Sequence, residues 1–259
     1  MLTLKNFLLL IFFIVISSAV AAQKDVWENQ KLNTAKDAAY MQQDEKDMIY
    51  EINRLRSDPP RYAKLYVAVQ LKNALEVYKN EGRGDSSYSI TTSYRDTSIS
   101  RVDTNWHFSN EEELHALQTL FDTLMHLKPL SILQPDEGIY KACIKHAKNR
   151  AAAGSFEHMD TDGTWPWDRI LKYSPIMEDG NENLALNGDA PVRVIVMQLL
   201  NDANIDGYGH RYNLLEAKWT HVACYATRKP LMDSKWWIQN FGEIKTKQPG
   251  KNKSKTTLR

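Results

Sequence analysis

Cysteine is scarce in this chain. Only Cys143 and Cys224 occur in 259 residues, so at most one internal disulfide can form and the fold must rest on its apolar core. Each of the two reads equally well as a small buried apolar residue. Charge of one sign is lacking too: the formal net charge is +1, whereas a nucleic-acid binder needs a basic face on a folded element. The basic excess gathers beyond Ile244, in Lys245, Lys247, Lys251, Lys253, Lys255 and Arg259, with no acid among them. Without these and Lys5 the body of the chain is mildly acidic. Residues 244–259 read as a basic, disordered tail, solvated or in contact with an anionic envelope polymer or lipid. No Gly-x-Ser-x-Gly motif is present. Ser155 lies near His158 along a loop, which is not a Ser-His-acid geometry, and Cys143 sits on an apolar helix face where a reactive thiolate is poorly stabilised.

The long apolar run that does occur is at the start. Lys5 precedes Phe7 to Ile16, and Ala19-Val20-Ala21 fits the cleavage pattern of a secretory leader. Residues 1–21 therefore read as a signal peptide and the mature protein as secreted, periplasmic or extracellular. The run is too short for a good membrane span and no basic stop follows it, so no transmembrane anchor is expected. No cysteine near the cut offers a lipid anchor.

Helical spacing of Met48, Ile52 and Leu55 predicts a helix over Asp44 to Arg56, stopped by Pro59-Pro60. A polar tract at about 73–105 reads as an insertion, with one alternating stretch, Tyr88 to Tyr94, that is strand or loop. Ser109 and Glu112 form a capping box ahead of the stripe Leu114, Leu117, Leu120, Phe121 and Leu124, a helix ended before Pro129. A third helix, Glu137 to Ala153, puts Ile139, Cys143 and Ala147 on one face and stops at Gly154. A long loop, Ser155 to Asp179, follows. The fourth helix starts with Asp189 as cap and Pro191 in its first turn and carries Val192, Ile195, Val196 and Leu199. A short helix around Arg211 to Leu215 precedes two strands, Thr220 to Ala226 and Trp236 to Phe241, with a turn at Pro230 to Ser234. Helices around a small antiparallel sheet, without βαβ alternation, indicate an α+β fold.

Two histidines stand beside acids: His158 in Phe156-Glu157-His158-Met159-Asp160, and His210 in Gly209-His210-Arg211, with Glu182 and Asp202 between them. Imidazole suits a divalent metal or a proton near neutrality, and a carboxylate accepting from its second nitrogen fixes the tautomer. His107, His115, His126, His146 and His221 are scattered and read as surface or half-buried residues. Trp165, Trp167, Trp219, Trp236 and Trp237 read as core or cleft wall, although an apolar groove for lipid uses the same types.

Several stretches in order resemble the CAP superfamily of cysteine-rich secretory proteins, antigen 5 and pathogenesis-related proteins, whose common unit is the SCP domain. They are the helix opening Glu51-Ile52-Asn53, Ala142-Cys143-Ile144-Lys145-His146-Ala147, the His158 segment with Asp162-Gly163 and Asp168-Arg169, Asn181-Glu182-Asn183-Leu184, Gly209-His210-Arg211-Tyr212-Asn213, and Trp236-Trp237-Ile238-Gln239-Asn240-Phe241-Gly242. The resemblance covers 44–243 apart from the insertion and implies one domain of the bacterial secreted type, an α-β-α sandwich with a cleft where His158, Glu182, Asp202 and His210 meet. Asn181 stands where the family has glycine, which fits if that position is left-handed. Asp202 stands where the family more often has glutamate, one methylene longer.

Converging imidazoles of His158 and His210 would bind zinc or another divalent cation weakly, because two histidines leave the ion mostly hydrated, with Glu182 and Asp202 orienting the rings. The expectation is a binding module for such a metal or a small apolar ligand, with an envelope component as the class of partner. The alternatives are a metal-dependent hydrolase whose catalytic residues are the same four, a buried hydrogen-bonded network that only specifies packing, and a scaffold working through its insertion or tail.

Overall fold

The computed structural model describes residues 27, 29–81, 87–95, 98–107, 110–186, 190–229 and 232–245. The leader expected at 1–21, the caps expected at Ser109 and Asp189, and the part of the expected tail from 246 onward lie outside the described residues. The start of the tail expected at 244 is corrected, since Ile244 ends the last strand and Lys245 N donates to Ile176 O at 2.9 Å.

The first helix, α1 (Gln43–Ser57), opens on a capping box in which Glu45 accepts from Gln42 N at 2.8 Å, and it buries Met48, Ile52 and Leu55 as their spacing predicts. The helix stops at Ser57, ahead of Pro59-Pro60 as expected, and helical structure then resumes at once. Both prolines stand in the first turn of α2 (Pro59–Tyr62), where the absent N–H has no intrahelical acceptor to lose, and Asp58 caps that turn by accepting from Arg61 N. A π turn at Ala63–Val67 leads into α3 (Ala68–Glu81). Within the tract at 73–105 read as an insertion, the start belongs to α3, and Tyr88 to Tyr94, strand or loop by sequence, lies in β1 (Ser87–Arg95), which forms an antiparallel hairpin with β2 (Ser98–His107). Next, α4 (Asn110–His126) buries Leu114, Leu117, Leu120 and Leu124.

After a short strand β3 (Gln134–Pro135), Asp136 caps α5 (Glu137–Ala153) by accepting from Ile139 N at 2.7 Å, and Gly154 ends it in left-handed geometry at φ 70°. The stretch Ser155 to Asp179 is not all loop. Pro166 opens α6 (Pro166–Tyr173), whose Asp168 reaches back to Trp165 N, and β4 (Met177–Leu186) has begun before Asp179. Pro191 is the N-cap of α7 (Val192–Asn201) rather than part of its first turn. The chain closes with α8 (Gly209–Leu215), β5 (His221–Lys229) and β6 (Met232–Ile244). Of the turn expected at Pro230 to Ser234, residues from Met232 onward belong to β6, with Met232 paired to Lys229, and Pro230 and Leu231 lie outside the described residues.

Strand order is β3-β5-β6-β4. The long strands are antiparallel and the two-residue β3 runs parallel to β5, so the α+β class holds while the sheet is mixed rather than purely antiparallel. One face packs against α5 and α6, the other against α1, α7 and α8. Two glycines paired across β4 and β6, Gly180 and Gly242, admit the first pair of helices: a Cβ on Gly180 would lie 2.8 Å from Ile170 Cδ1 of α6, and one on Gly242 would lie 2.8 Å from Ile139 Cδ1 of α5. Among the described residues no helix is long and apolar enough to cross a membrane.

Candidate functional site

β4 is the edge of the sheet next to β6, and the alternation of its side chains divides the site. Glu182 points to the α5–α6 face, Asn183 to the α8 face. On the first side, Glu182 Oε1 lies 3.1 Å from His158 Nδ1 and Oε2 lies 2.5 Å from the Arg169 guanidinium. Arg169, fully buried on α6, also donates to His158 O at 2.9 Å, so a single guanidinium fixes both the His158 loop and its carboxylate partner. On the second side, His210 Nδ1 lies 2.7 Å from Asp202 Oδ1 while Asp202 Oδ2 accepts from His210 N at 2.8 Å. Asp202 sits at the C-cap of α7 in left-handed geometry, φ 52°, where the chain turns away from the helix. Asn204 and Tyr208 in the same connection are left-handed too, a local strain of the kind found at functional segments.

The two histidine–carboxylate pairs are linked across the edge strand. Asn213 Nδ2 donates to Glu182 O at 3.2 Å and to Asn183 Oδ1 at 2.8 Å, and Asn183 Nδ2 donates to His210 O at 3.1 Å. These bonds also satisfy part of the free edge of β4. Asn181 is extended within β4, not left-handed, and its Oδ1 accepts from Glu182 N at 2.9 Å. Both Nδ1 atoms are therefore engaged by acids, and the side chains of His158 and His210 remain 43% and 21% exposed.

His146 reverses its sequence reading. It is buried on α5, with Nδ1 2.6 Å from Asp160 Oδ1 and Nε2 3.6 Å from Glu182 Oε1. Lys145 pairs with the other oxygen of Asp160. The signal was present: position 146 is three residues past Cys143 and seven past Ile139, on the stripe expected to be buried. Burial pushes the His146 pKa below the ordinary imidazole value, with the Glu182 charge opposing the shift. For Asp160, burial pushes upward but the bonds from Lys145 and His146 outweigh it, and its carboxyl titrates below the usual range. His115, His126 and His221 are exposed or half-buried, as expected.

Cys143 and Cys224 are free and buried, and burial drives both thiols well above their usual pKa, so neither is a nucleophile at neutral pH. Trp219, Trp236 and Trp237 are core, but Trp165 and Trp167 are each 42% exposed and stack on one another at 5.2 Å, so neither is a core residue. Two surface hollows, lined by Tyr78, Glu111, Leu114 and His115 and by Lys141, Ile144, Lys148 and Tyr173, include none of the four candidate residues. Among the described residues no three His, Cys, Asp or Glu side chains group as metal ligands.

Helices on both faces of a four-stranded sheet define an α-β-α domain, with a histidine–carboxylate pair on either side of its edge strand. The model of the Cysteine-rich secretory protein family, CAP, matches residues 49–241. The chain belongs to that family. Similar solved structures include an outer surface protein of Borrelia burgdorferi, 22% identical with a TM-score of 0.38 over 45% of this chain and 80% of that one. Another is an extracellular protein containing a SCP domain from Bacillus anthracis, 17% identical with a TM-score of 0.38 over 66% of this chain and 71% of that one. The search of curated proteins found no match.

Proposed function

We propose that this is an exported binding module whose cleft, built on His158, Glu182, Asp202 and His210, takes a weakly held divalent cation such as zinc between His158 and His210. The observation that carries the reading is the engagement of both Nδ1 atoms by carboxylates, which fixes each ring and leaves Nε2 as the nitrogen able to coordinate. The donor set fits such an ion. Two neutral imidazoles supply nitrogen ligands, and Glu182 and Asp202 place compensating negative charge behind them. When bound, the cation would polarise the water or ligand oxygen that completes its shell. Arg169 and Asn213 hold the pairs in place; neither moves a proton.

A catalytic zinc normally has three protein ligands, so the donor grouping gives a hydrolase less support than a binding site. Export rests on the leader-like start of the chain, and an envelope component remains the expected class of partner.

Titration of the mature protein with zinc by calorimetry, beside His158→Ala and His210→Ala, tests the reading. One weak binding event lost in both variants, with no turnover of generic ester or peptide substrates, is the expected result. Metal-dependent turnover lost in both variants would establish the hydrolase instead, and absence of binding to the wild type would end the proposal.

A further inference from the structure

Glu182 has two neighbours besides His158, and they differ in kind. Arg169 occupies Oε2. Oε1, the oxygen that orients the half-exposed His158, is backed by the Nε2 edge of His146 at 3.6 Å. His146 itself cannot turn: it is buried against the sheet, and its Nδ1 is held by Asp160, whose other oxygen is held by Lys145. The result is a continuous line, Lys145, Asp160, His146, Glu182, His158, that runs from the surface of α5 under the loop to the cleft.

We propose that His146 is a positioning residue of the cleft, holding Oε1 of Glu182 in the place from which it orients the imidazole of His158. This rests on the site reading given above for the metal, but its geometry belongs to the chain alone. A short side chain at 146 would open space beneath Glu182, leaving Oε1 free to swing away from His158 while Arg169 keeps only Oε2. His210 is held by a separate acid, Asp202, and does not depend on His146.

The test compares wild type with His146→Ala, His146→Asn and His146→Gln. Asparagine places an amide near the Nδ1 position and keeps the bond to Asp160; glutamine reaches the Nε2 position and faces Glu182. Imidazole nitrogen shifts of the metal-free protein, read by NMR, report the tautomer of each histidine. In the wild type His158 is held with its proton on Nδ1, donated to Glu182. His146→Ala and His146→Asn move His158 to a mixture of tautomers, His146→Gln restores it, and the His210 signals stay in place throughout. Zinc affinity falls on the order of 10-fold in the first two variants and recovers in the third. His158 signals unchanged in His146→Ala overturn the proposal, as do His158 and His210 signals that shift together. Should His146→Ala not fold, the contrast between the asparagine and glutamine variants decides in the same way. If the wild type takes up no zinc but the His158 tautomer responds as described, the metal reading fails and the positioning role stands.

Discussion

Burying an imidazole between two acids makes stability depend on pH at His146. Its folded pKa is lowered by burial, whereas in the unfolded chain it titrates near 6.5. Below that value the unfolded chain takes up a proton that the folded ring resists, so the stability of the neutral ring is present above the unfolded pKa and is lost as pH falls toward the folded one. Asp160, also depressed, adds a second loss at lower pH, as pH falls from about 3.8 through its folded value. Urea unfolding at pH 7.5 and pH 5 should show a decrease for the wild type and a shallower one for His146→Gln; equal slopes would contradict the assignment. Of the candidate residues, His158, Glu182, Asp202 and His210 could be singled out through their motifs. His146 and Arg169 lie in stretches that carry the same resemblance, and His146 falls on the stripe expected to be buried, but nothing in the sequence shows that both meet the carboxylate of Glu182.

The elements depend on close approach as much as on pattern. Gly180 and Gly242 face each other across β4 and β6, and each would place a Cβ within 2.8 Å of an isoleucine from the helices above. Gly242→Ala must push α5 from the sheet or force Ile139 from its rotamer, an overpacking cost of ~1 to 3 kcal/mol. A fall in the urea midpoint without a change in slope is the expected result; an unchanged midpoint would mean that the helix can shift freely. Helices with a clear apolar stripe, α1, α4 and α5, could be read directly from spacing. α3 could not, since its polar C-terminal half lacks a buried stripe and Pro59-Pro60 resembles a stop until it is seen to start a new first turn. β4 escaped notice for the opposite reason. Asp179, Gly180, Asn181 and Asn183 are poor strand formers, and what makes them a strand is the ladder with β6, helped at the free edge by Asn213 of α8.

At the scale of the whole molecule, the CAP domain brings two sequence-distant histidine segments to the same edge strand. The His158 segment arrives through the α5–α6 side, pinned by Arg169; the His210 segment arrives through α7 and α8, pinned by Asp202. Neither approach requires a disulfide, in keeping with the free, buried state of Cys143 and Cys224. We propose that these two pairs act as one cation site. Anomalous scattering from zinc-soaked crystals of the mature protein should show a single peak about 2.1 Å from Nε2 of both His158 and His210; a peak on one of the two alone, or none at either, would rule out a shared ion.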